Sequence, residues 1–151
     1  MTPKTAFAQF ISNRPLRRSS SVFNNVRRYQ DQDTASWLPE ARDAISQLEH
    51  LPEGWDSYGS DKVQSIAVKN AIRFLFEAPS RLVPAPHISA TPGGGIGLHW
   101  LISGRDLELE FTPTGTIESL KSYAGTDLEP IDAVVQDEDA YALLRWVAGI
   151  V

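Results

Sequence analysis

The sequence predicts an α+β fold: two N-terminal helices, an antiparallel meander of three or four strands, and a C-terminal helix packed on one sheet face. Three observations carry this expectation. Apolar residues recur at helical spacing between residues 36 and 78, the period changes to two after Pro86, and an acid-led apolar stripe closes the chain.

In SWLPEARDAISQLEHL, Trp37, Leu38, Ala41, Ala44, Ile45, Leu48 and Leu51 share one side, while Glu40, Arg42, Asp43 and Glu49 take the others; this predicts a helix over 36–51. Ser36 stands as its N-cap, Pro39 is tolerated in the first turn, and Pro52 and Gly54 stop it. A second helix is expected from Asp61, with Gln64 at capping-box spacing and a stripe of Val63, Ala67, Ala71, Phe74, Leu75 and Ala78 ending at Pro79. Between them LPEGWDSYGS reads as a helix–helix connector. Gly54 and Gly59 supply positive φ, Asp56 an Asx-turn, and Trp55 and Tyr58 fill the gap between helices.

The stretch from His87 to Tyr123 then reads as short strands joined by glycine turns, the first turn lying in TPGGG. With Ser103-Gly104 as a two-residue turn, Trp100 faces Leu107, Leu98 faces Leu109 and Ile96 faces Phe111, while His99 meets Glu108 and Gly97 meets Glu110 on the other face. A four-residue loop would shift the partners but keep the faces. A turn at Thr112–Gly115 leads to TIESLKSY, whose weak alternation suits an edge strand protected from aggregation by Glu118 and Lys121. In DEDAYALLRWVAGIV the acids suit a helix N-terminus, and Tyr141, Leu144, Val147 and Ala148 form a stripe.

A chain of 151 residues can bury one core without staples, and the expected division is a basic arm over 1–35, flexible or loosely docked, and a single compact domain over 36–151. With no cysteine, disulfides, thiolate catalysis and cysteine-ligated metals are excluded. No apolar run of membrane-spanning length and no secretory leader is present, so the expected location is the cytoplasm. The net charge of −5 conceals an asymmetry, because residues 1–30 carry six bases and no acid, which leaves −11 on the remainder.

Three functional classes compete. As a protein-interaction module, the chain would use Trp55, Asp56 and Tyr58 of the connector, or Asp106, Glu108 and Glu110 of the sheet's outer face, to hold a protein partner. As a nucleic-acid binder it would place Arg14, Arg17, Arg18, Arg27 and Arg28 on phosphates, with Phe23 or Tyr29 stacking on bases. As an enzyme, the weakest reading, it would rely on His99 beside Glu108 or Glu110. No catalytic residue, metal or cofactor is assigned: HxH and HExxH spacings are missing, no GK[ST] follows TPGGGIG, and Ser57, Ser89 and Ser103 lie in no GxSxG elbow.

The combination of LxxLPEGWDSYGS, RFLFEAP, GGGIGLHW and LELEF, spanning roughly residues 45–125, resembles a family of small bacterial proteins with a GWDxYG connector and a Gly-rich meander. The resemblance implies a compact bacterial domain and supplies no catalytic residues. The resulting expectation is a non-enzymatic interaction module, antitoxin-like, immunity-like or phage-related, with nucleic-acid binding through the arm as the alternative.

Overall fold

The computed structural model describes residues 35–150, so Arg14, Arg17, Arg18, Arg27, Arg28 and the expected basic arm lie outside the described residues. The architecture is α+β: helices α1 (Leu38–Leu48) and α2 (Ser65–Glu77), a 3-10 turn (Ser80–Leu82), and strands β1 (His87–Ala90), β2 (Ile96–Ile102), β3 (Arg105–Phe111), β4 (Ile117–Tyr123) and β5 (Ile131–Val135), then helix α3 (Asp137–Val147). The strands form one antiparallel sheet in the order β1-β2-β3-β4-β5.

Helix α1 buries Leu38, Ala41, Ile45 and Leu48, the stripe that its apolar spacing dictates. Its start differs from expectation: Trp37, not Ser36, takes the capping position, and the Trp37 indole N–H donates to the carbonyl of Val83 at 3.1 Å. Helix α2 begins four residues later than Asp61. The backbone of residues 61–64 is committed elsewhere, with Asp61 N–H donating to Pro92 O and Gln64 N–H to Gly94 O, each at 2.9 Å. These tertiary bonds strap the chain against the β1–β2 turn and outbid the local capping box, so Gln64 becomes the N-cap without a side-chain bond.

The same strap explains Gly94, and the end of β3 explains Gly95. A Cβ on Gly95 would sit 2.6 Å from the Phe111 carbonyl oxygen, and one on Gly94 2.9 Å from the Lys62 oxygen, so the backbones approach where no side chain fits. Thr91 closes the turn by accepting the Gly95 N–H on its hydroxyl at 3.0 Å.

Strands β2 and β3 take the register anticipated for a two-residue turn, with Trp100 opposite Leu107, Leu98 opposite Leu109 and Ile96 opposite Phe111. Ser103 and Gly104 both have positive φ, as the right-handed twist of a two-residue hairpin demands. Two expectations fail here. The sheet has five strands, not three or four, and β4 is interior because Ile117–Lys121 pair with Val135–Ile131. The edge on that side is β5, whose IDAVV carries too little alternation to announce itself.

The inner face holds the core. Ile88, Leu98, Trp100, Leu107, Leu109 and Phe111 are buried beneath the helices, and Phe74 of α2 lies 5.3 Å from the Phe111 ring and 5.5 Å from that of Tyr141 on α3. Arg73 joins α2 to α3 through Asp137 at 3.0 Å. All three described helices therefore cover one face of the sheet, and the opposite face is bare among the described residues.

Candidate functional site: the outer face of the sheet

Antiparallel register sorts the outward side chains into rows that cross the strands. One row runs Ser89, Gly97, Glu110, Glu118, Val134; the next runs His87, His99, Glu108, Leu120, Asp132; a third holds Leu101, Asp106 and Ser122. Five carboxylates thus share this face, and no Lys or Arg occupies an outward position of the described strands. The two basic residues of the strands, Arg105 and Lys121, project to the other side. There the Lys121 ammonium lies 4.5 Å and the Arg105 guanidinium 5.5 Å from the Trp146 ring on α3, and Tyr123 meets that ring edge-on. Both cations are drawn to an indole face, so the sheet separates its charges by side.

A groove of about 720 Å³ runs over this surface. Pro84 and Ala85 rim it beside β1, and Asp132 marks its reach to β5. Gly97 keeps the floor low: a Cβ there would stand 3.0 Å from the Ser89 hydroxyl. Apolar side chains interleave with the acids, Leu101 being 55%, Leu120 36% and Val134 65% exposed. Carboxylates around exposed aliphatic groups produce a negative potential with apolar footholds, a combination suited to a basic polypeptide.

The histidines are also placed here. His99 Nε2 lies 2.7 Å from Asp106 Oδ1, so its carboxylate partner is the diagonal Asp106 and not Glu108, which stands directly across. The His87 and His99 rings are 6.1 Å apart. No serine or threonine hydroxyl hydrogen-bonds either imidazole among the described residues, and no group of three or more His, Asp or Glu there converges as metal ligands. His99 and Asp106 thus form an oriented imidazole–carboxylate pair on the outer face.

The connector residues form a separate feature. Asp56 accepts the N–H of Tyr58 at 3.0 Å and of Ser60 at 3.2 Å, and the Ser60 hydroxyl on its other oxygen. The Ser60 hydroxyl first, then these backbone N–H groups, hold the Asp56 carboxyl below its ordinary value despite the opposing effect of desolvation. The Trp55 indole packs against the core and donates to the Asp61 carbonyl at 3.3 Å. Asp56 is thus the internal brace of its loop, and Tyr58, 85% exposed, projects into solvent instead of filling the gap between helices. Of the six anticipated partner-binding residues, Asp106, Glu108 and Glu110 lie together on the outer face, while Trp55, Asp56 and Tyr58 sit on the connector strapped to the β1–β2 turn.

Sequence reasoning missed the contributions of β4 and β5 to the face. Glu118 reads as a guard against aggregation and Asp132 belongs to an unrecognised strand; only the full register aligns them with Glu110 and Glu108. No helix among the described residues is long and apolar enough to cross a membrane. Comparison of the chain with protein-family models, with curated proteins and with solved structures returns no match.

Proposed function

We propose that the protein is a non-enzymatic interaction module of the antitoxin-like, immunity-like or phage-inhibitor kind, acting in the bacterial cytoplasm by holding a basic protein partner on the outer face of its sheet. The single observation that supports this reading is the separation of charge: five outward carboxylates around exposed Leu101, Leu120 and Val134, with Arg105 and Lys121 turned to the helix side. The three acids visible in one hairpin are few for recognition of a basic surface. Glu118 and Asp132 extend them across neighbouring strands, and such a field speeds encounter with a positive partner as well as selecting it. Exposed aliphatic side chains supply the water-excluding contacts that charge alone does not.

The test is affinity capture from a nuclease-treated bacterial lysate, with the full chain beside a Glu108→Lys/Glu118→Lys variant. Both positions face outward, so the core is untouched. The expected result is a stoichiometric protein held by the wild type, weakened by salt, and lost by the variant. Retention by the variant would move the interface elsewhere, with Tyr58 the next surface to alter. Nucleic acid as the sole ligand, lost on substituting Arg27 and Arg28, would replace this proposal with the alternative. A turnover abolished by His99→Ala in a folded protein would replace it with an enzyme.

A further inference from the structure

We propose that the basic segment preceding the described domain, residues 14–30, is the resident occupant of the outer-face groove: an internal stand-in for the partner, which the partner must displace. Docking of the segment stands on its own observations; only its regulatory meaning rests on the function proposed above.

The first observation is where the described chain starts. Ala35 is buried and accepts the Leu38 N–H at 3.1 Å, and the neighbouring Trp37 is pinned to the Val83 carbonyl. Val83 is buried and leads directly into Pro84 and Ala85, the rim of the groove beside β1. The chain outside the described residues is therefore tethered on the helix side of the sheet, beside the β1 edge whose flank carries Pro84 and Ala85, and reaches the groove by rounding that edge. From there β3 is about 10 Å away and β5 about 19 Å, taking strand spacing as about 4.8 Å. At about 3.3 Å per residue, the six residues from Tyr29 to Thr34 alone span roughly 20 Å. Arg27 and Arg28 are within reach of Glu108 and Glu118.

The second observation is complementarity. Residues 1–30 hold six of the chain's fourteen Lys and Arg and no acid, whereas the face holds carboxylates and no outward Lys or Arg on the described strands. The segment also interleaves Val22, Phe23, Val26 and Tyr29 with its arginines, matching the alternation of aliphatic and acidic groups on the face. Guanidinium groups favour paired contact with carboxylates, so an arginine-rich segment fits better than a lysine-rich one. Tethering multiplies a weak match. A linked segment sits at about millimolar effective concentration, enough to fill a site of about 0.1 mM affinity most of the time and to weaken a free competitor roughly tenfold.

The chain has no cysteine, so Asn25→Cys gives one attachment point for a nitroxide on the full protein. The expected result is paramagnetic broadening of backbone amides of β2, β3 and β4 at low salt, recovered at about 1 M NaCl and absent in Arg17→Glu/Arg18→Glu/Arg27→Glu/Arg28→Glu. A synthetic peptide of residues 14–30 should bind that reversed variant about tenfold more tightly than it binds the wild type. Broadening of the helix layer, broadening spread evenly over the domain, or none at all would overturn the proposal. Broadening seen only between differently labelled molecules would overturn it too, assigning the face to a second copy. The readout needs no partner, so its failure is distinguishable from failure of the capture experiment.

Discussion

Replacing Phe74 with alanine tests the two-layer arrangement from which the bare sheet face follows. Phe74 is fully buried where α2 meets β3 and α3, in ring contact with Phe111 and Tyr141. Truncating such a side chain removes its transfer free energy and leaves a cavity that three elements must collapse together to fill, at a cost of about 3–5 kcal/mol. At about 2.1 cal/mol/K per residue, a domain of about 115 residues unfolds with an entropy near 0.24 kcal/mol/K, so each kcal/mol moves Tm by about 4 °C. Phe74→Ala should therefore lower Tm by about 12–20 °C. In urea its midpoint should fall with the slope unchanged, because the surface exposed on unfolding is nearly the same. The control is Phe76→Ala, on the same helix but 43% exposed, with an expected cost of under about 1 kcal/mol. Equal losses for the two variants, or a loss at Phe74 below about 1 kcal/mol, would refute the placement of α2 and α3 over the inner face.

Three further outcomes follow from particular contacts. Because the folded Asp56 carboxyl titrates below its ordinary 3.8, its stabilisation is complete above that value and is lost as pH falls through the folded value; the stability difference between wild type and Asp56→Asn should be constant above about pH 5 and shrink in acid, as urea midpoints against pH would show. Gly95→Ala forces a methyl group to within 2.6 Å of the Phe111 oxygen and should cost about 1–3 kcal/mol in calorimetry, whereas Gly93→Ala, with open space around its Cβ, should stay within about 0.5 kcal/mol. Val134→Lys on the edge strand should leave Tm within about 2 °C and reduce light scattering on heating, since a charge there blunts edge-to-edge pairing.

The sequence revealed most where period and turn chemistry agreed. Ser103-Gly104 and the strict alternation from Ile96 to Phe111 fix the β2–β3 register, because a slip of one residue would expose Trp100, Leu107 and Leu109. It misled where backbone groups at distant positions bond each other. The Asp61–Gln64 spacing is a sound local cap, but Pro92 and Gly94 compete for the same N–H groups and prevail. It was silent on β5, whose Ile131 and Val134 face solvent and so carry no burial pattern. The candidate site shows the same division. Asp106, Glu108 and Glu110 lie in one legible hairpin, while Glu118, Leu120 and Asp132 join them only through a register that spans five strands. The His99–Asp106 contact is diagonal, and a list of directly opposed pairs points to Glu108 instead.

The uninterrupted strand order has a kinetic consequence. Every pairing in the sheet joins neighbours in sequence, so each hairpin closes a short loop at small entropic cost, and the meander can zip outward from the Ser103-Gly104 turn. The helices are different, because α1 and α2 must return from one side of the sheet in sequence and α3 from the other to bury a single apolar surface. A sheet that forms before its cover would leave Trp100, Leu107 and Phe111 open to neighbouring molecules. During folding the hazard therefore lies on the inner face, while like charge on the acidic face keeps chains apart until the helices dock.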